Sequence, residues 1–142
     1  MKIVKHYWFV AIALITMISF TGCQDEDEII YNLTDCEWKG YMFADQFGND
    51  ILSTFTFAED GYGIERQKFV DGNHTTFTFQ WRINKSGELE LYYPEENMMI
   101  YIYSYYVGEY NFSGEYQIED GPSSHFELRR CVVIHDAPSF FH

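Results

Sequence analysis

From Cys36 onward the chain alternates apolar and polar residues with a period of two, in short runs separated by polar, glycine-containing links, and shows no helical stripe of useful length. The pattern predicts eight strands, over residues 36–43, 51–58, 62–69, 74–83, 88–93, 98–106, 110–118 and 125–134. Between them lie Gly48-Asn49-Asp50, Glu59-Asp60-Gly61, Asp71-Gly72-Asn73, Asn84-Lys85-Ser86-Gly87, Pro94-Glu95-Glu96-Asn97, Gly108 and Glu119-Asp120-Gly121-Pro122, where Gly and Asn tolerate the positive φ of tight hairpins. Strands joined by such short links make an antiparallel meander, which must close into a barrel or split into two sheets to hide its edges.

The alternation also assigns faces. In 74–83 the inward set is Thr75, Phe77, Phe79, Trp81 and Ile83, against an outward Thr76, Thr78, Gln80 and Arg82. In 110–118 the inward set is Tyr110, Phe112, Gly114, Tyr116 and Ile118. The run 98–106 is apolar on both faces, with Met98, Ile100 and Ile102 on one and Met99, Tyr101, Tyr103 and Tyr105 on the other. Either this strand is covered on both sides, by core and by a neighbouring loop or the tail, or Tyr101, Tyr103 and Tyr105 wall a ligand cavity together with inward Trp81.

Upstream of the strands the pattern changes. Lys2 and Lys5 lead an apolar run from Tyr7 to Phe20, about 14 residues and short of the roughly 20 that span a bilayer. Then come Phe20-Thr21-Gly22-Cys23 and the acidic Gln24-Asp25-Glu26-Asp27-Glu28. An Ala-x-Ala-like cleavage site is absent, and Gly22 directly before Cys23 resembles a bacterial lipobox. That resemblance implies removal of residues 1–22 and a lipid on Cys23. The acids after it resemble the surface-export signal of lipoproteins from Bacteroides-like bacteria. Residues 23–35 are accordingly expected to be a lipidated acidic tether, 36–134 the folded domain and 135–142 a tail. The expected location is the outer membrane, with the domain anchored at Cys23 and exposed at the cell surface.

Charge narrows the partners. The whole chain has 9 basic and 22 acidic side chains, a net charge of −13. Without residues 1–22 it has 7 basic against 22 acidic, or −15. Phosphate backbones need a positive surface, so nucleic acid is an improbable partner. Phe, Tyr and Trp make up 20% of the residues, enough apolar area to build one core in a domain of this size.

Taken together, the lipobox, Glu37-Trp38-Lys39-Gly40, Phe57-Ala58-Glu59-Asp60-Gly61-Tyr62-Gly63, Phe79-Gln80-Trp81 and Phe126-Glu127-Leu128-Arg129-Arg130 resemble the lipocalin-like lipoproteins of Bacteroides and relatives. The resemblance covers most of residues 36–131 and implies an all-β fold, a small eight-stranded up-and-down barrel. In lipocalins proper a Trp of the first strand is covered by an Arg of the last. Trp38 and Arg130 match those roles, and a cation–π contact between them would close the bottom of the barrel. Cys36 stands where a Gly is usual.

If Cys23 carries lipid, Cys36 and Cys131 remain, near the first and last strands and in an oxidising compartment. A bond between them would close a loop of about 95 residues and stabilise by roughly 4 kcal/mol. Parity opposes it, since Cys36 shares the face of Trp38 whereas Cys131 lies opposite Phe126 and Leu128.

The chain offers little for catalysis. It has no Gly-x-Ser-x-Gly, no phosphate-cradling glycine loop and no Cys-x-x-Cys. His125 with Glu127, and His135, Asp136 and His142, read as solvated strand and tail residues rather than metal ligands. Asp45, Asn49 and Asp50 lack the spacing of an EF-hand. No enzyme, metal or cofactor is expected. Two classes of function remain: a binder of a small apolar molecule or glycan, using the barrel mouth or the tyrosine face, and a protein-interaction or inhibitor module with a filled barrel. An open cavity favours the first.

Overall fold

A computed structural model describes residues 24–131. After a short helix α1 (Glu26–Leu33) come eight strands: β1 (Glu37–Ala44), β2 (Asp50–Phe57), β3 (Tyr62–Lys68), β4 (His74–Ile83), β5 (Leu89–Tyr93), β6 (Met98–Val107), β7 (Asn111–Ile118) and β8 (Ser123–Arg130). Each pairs antiparallel with the next, and β8 returns to β1, so the sheet closes into one up-and-down barrel. The first seven strands fall within one residue of the spans expected from alternation. The eighth begins earlier, at Ser123, and expected residues 132–134 lie outside the described ones.

The expected tether is partly folded. Residues 26–33 form α1, whose first turn carries Glu26, Asp27 and Glu28 against the positive end of the helix dipole. The helix stops where the Thr34 amide and hydroxyl both donate to the Ile30 carbonyl, at 3.1 and 2.8 Å. Ile29 and Leu33 are buried against one end of the barrel. Side chains hold them there: Gln24 and Asn32 donate to the Val107 carbonyl at 2.7 and 2.9 Å, and Gln24 accepts from the Val107 amide. An eight-residue helix is marginal alone, so this burial is what forms it.

Above α1 the interior is packed with rings. Trp38 meets Phe112 edge-on at 5.7 Å, Phe112 meets Phe126 at 5.0 Å, and Phe57 lies 5.2 Å from Phe79. Leu89, Leu91, Ile100, Ile102, Val107 and Leu128 fill the spaces between. Gly63 is needed here, because a Cβ at that position would sit 2.3 Å from ring carbons of Phe79.

Strand β6 departs from simple alternation. Its register with β7 shifts between Tyr103 and Tyr106, with Ser104 at φ 47°. Gly114 leaves the room for this bulge, since a Cβ there would lie 2.6 Å from the Tyr105 Cβ. The extra residue reverses the faces, so Tyr105 packs against the core, at 6.3 Å from Phe112, while Tyr101 and Tyr103 stay on the outer wall. Tyr110, expected inward, is exposed beyond the start of β7.

The barrel closes at a short seam in which Trp38 pairs with Arg130 and Lys39 with Arg129. Gly40 lets β8 approach, as a Cβ there would lie 2.8 Å from the Glu127 carbonyl oxygen. Cys36 and Cys131 are both free thiols rather than a disulfide. The parity of the two strands is the reason: Cys36 is buried beneath α1, where its thiol donates to the Asn32 and Leu33 carbonyls at 3.7 and 3.8 Å, whereas Cys131 is only half-buried beyond the end of β8. Burial pushes the Cys36 thiol up to about 11.

Candidate functional site

The end of the barrel opposite α1 is the mouth, framed by the β1–β2, β3–β4, β5–β6 and β7–β8 links. A cavity of about 430 Å³ opens there, its apolar wall made by Phe43, Ile51, Phe77, Met98, Tyr116 and Ile118. Phe43 is turned in by a bulge in β1 between Tyr41 and Phe43, and its ring meets Tyr116 edge-on at 5.6 Å.

The floor is polar. Strand β3 turns Gly63, Glu65 and Gln67 inward and leaves Tyr62, Ile64, Arg66 and Lys68 outside. Its partners impose this choice, because Glu65 pairs with Phe55 of β2 and Phe77 of β4, both on the inward face. The Glu65 carboxylate, with only 1% of the residue exposed, accepts three hydrogen bonds. Ser53 donates to Oε2 at 2.7 Å, Gln67 to Oε2 at 2.8 Å and Tyr93 to Oε1 at 2.7 Å. Burial and the neighbouring carboxylate hold the Tyr93 phenol well above its ordinary value of 10.0, so it remains a donor. Glu96 adds a second carboxylate at the exposed rim, and among the described residues no basic side chain lines the cavity.

The residues singled out from sequence are not gathered here. Trp81 is inward but lies toward the α1 end, donating to the Ala58 and Tyr62 carbonyls at 2.9 and 3.1 Å and meeting Phe57 edge-on. Tyr105 also lies toward that end, its hydroxyl donating to the Gly87 carbonyl at 3.0 Å. Tyr101 and Tyr103 are on the outside, Tyr103 joined to Ser123 through their hydroxyls. The three tyrosines therefore form no single wall, because the β6 bulge separates them. Trp38 and Arg130 do face each other across the seam, but Trp38 donates to the Leu33 carbonyl at 3.0 Å and Arg130 reaches the Glu109 carbonyl at 3.3 Å. The bottom of the barrel is thus plugged by α1 and Trp38. Cys23 lies outside the described residues, as do His135, Asp136 and His142.

Three of the polar groups considered as metal donors, His125, Asp45 and Asn49, have local partners. His125 pairs with Glu115 on the outer wall at 2.7 Å. Asp45 accepts from the Phe47 and Asn49 amides, which closes the β1–β2 turn and holds its carboxyl below the usual range. A second hollow, on the outer wall between Tyr62, Gln80, Arg82, Glu90, Tyr92 and Met99, is crossed by the Arg82–Glu90 ion pair. No family model, curated protein or solved structure matches the chain.

Proposed function

We propose that the chain is a lipid-anchored binding protein of the outer membrane, similar to lipocalin-like lipoproteins, that holds a small apolar molecule in the mouth of its barrel. The observation carrying this reading is the mouth cavity itself: an aromatic and aliphatic wall over a few converging polar groups is the usual construction of a small-molecule site. The rest of the interior is filled, so the ligand is small and held near the rim. A glycan is less suited to so apolar a wall. A binding role without chemistry fits the site, where the carboxylate is engaged by three donors rather than poised beside a nucleophile.

The test uses the chain from residue 24 onward, which contains α1 and the whole closed barrel, with n-octanol, n-octylamine and n-octanoate as probes. At least one should bind with one site per chain and raise the thermal midpoint, by about 2.7 kcal/mol of stabilisation at a hundredfold excess over Kd. Ile118→Trp, which fills the cavity, should abolish that binding while the barrel still melts cooperatively. If none of the three binds, or if the filled cavity binds as well, the barrel is not a binder and the protein-interaction reading replaces it.

The anchor is tested separately. Protein extracted from membranes should carry acyl chains on Cys23, and Cys23→Ala should release it, because several chains on one residue supply the strong attachment. Retention of the Cys23→Ala chain in membranes would overturn the lipid assignment and leave the binding site untouched.

A further inference from the structure

We infer that the ligand of the mouth cavity is a cation, an apolar molecule bearing a protonated amine whose ammonium group sits on the free acceptor position of Glu65. This rests on the proposed binding role and specifies its ligand. A carboxylate has about four acceptor positions. Three on Glu65 are occupied, two of them on Oε2, whereas Oε1 accepts only from Tyr93. All three donors are neutral groups, so none of them brings a positive charge to the carboxyl at the base of the apolar cavity.

A buried charge costs several kcal/mol unless paired. The ion pairs among the described residues are Arg66–Glu37, Arg82–Glu90 and His125–Glu115, and none involves Glu65. Two surroundings of the cavity reinforce the preference for a cation. The rings of Phe43, Phe77, Tyr93 and Tyr116 border it, and aromatic faces attract ammonium groups. Glu96 at the rim repels anions on entry. The same charges disfavour a fatty acid, whose carboxylate would face two others.

The octyl probes separate this inference from the binding role, since they share a tail and differ in head group. At pH 7 the amine is protonated. Octylamine should bind at least tenfold more tightly than octanol, with octanoate weakest. High salt should preserve that order, because it screens the acidic surface but not a buried carboxylate. Glu65→Gln, which keeps one acceptor oxygen and puts an amide NH2 in place of the other, should bring octylamine down to the affinity that octanol shows for the same variant. Glu96→Gln should weaken octylamine by less than the Glu65 change. If octanol or octanoate equals octylamine in the unmodified chain at high salt, the inference fails while the binding role stands. The same holds if Glu65→Gln keeps the amine preference. Binding of none of the three removes both.

Discussion

At the α1 end of the barrel, inward polar groups finish on neutral backbone carbonyls: Trp38 on Leu33, Trp81 on Ala58 and Tyr62, Tyr105 on Gly87. At the mouth, Ser53, Gln67 and Tyr93 converge instead on one carboxylate. A donor that ends on a carbonyl makes a neutral, self-contained pair, and the ring packing around it can then be dense. Neutral donors that end on a carboxylate bring it hydrogen bonds but no opposite charge. The two ends therefore differ in what their inward donors meet, backbone carbonyls beside α1 and, for Ser53, Gln67 and Tyr93, a buried carboxyl at the mouth.

The largest test of that division is at the closed end. Trp38 is fully buried, and Trp38→Ala removes its contact with Phe112 and its bond to the Leu33 carbonyl. A loss of about 4 kcal/mol is expected, read from denaturant midpoints. Leu33→Ala should cost about 3 kcal/mol, because Leu33 is as completely buried as a core strand residue. A tether would tolerate that change with no measurable effect, so a cost below about 0.5 kcal/mol would return residues 26–33 to the role that composition suggests.

Much of the closed end is legible in the sequence. Alternation alone turns Phe79 and Trp81 inward, whereas the Trp38–Arg130 pairing across the seam is expected only from the resemblance and not from any period in the sequence. Helix α1 is not legible, because Ile29, Ile30 and Leu33 are too few apolar residues to mark a helix among four consecutive acids; packing on the barrel end decides it. The mouth is hidden for a different reason. In β3 the alternation offers Ile64 as the inward residue and Glu65 as the outward one, and only the pairing with Phe55 and Phe77 reverses them. Likewise one bulge at Ser104 sends Tyr105 to the opposite face from Tyr101 and Tyr103, a change that no local period records.

The smallest effect sharpens the comparison from the side of the mouth. Tyr93→Phe removes one of the three donors to Glu65 and leaves the ring in place, so it should cost about 1.5–2 kcal/mol at pH 7, in the range for a bond to a charged group. The cost should also depend on pH. Burial and Glu65 keep the folded phenol neutral well above 10.0, whereas the unfolded phenol ionises from about that value. Tyr93 therefore contributes its full stability below pH 10, and that contribution falls by about 1.4 kcal/mol for each further pH unit until the folded phenol ionises. The phenylalanine variant has no such loss, so the gap between the two chains should narrow above about pH 10 and vanish near roughly pH 11 to 12. Tyr105, at the closed end, is held up to about 12 chiefly by burial. Tyr105→Phe should narrow in the same direction but from a smaller starting cost, since its hydroxyl gives up a neutral carbonyl rather than a carboxylate. Equal costs at pH 7 for the two phenylalanine variants would show that a bond to Glu65 is worth no more than one to a backbone carbonyl, and with that result the distinction between the two ends would disappear.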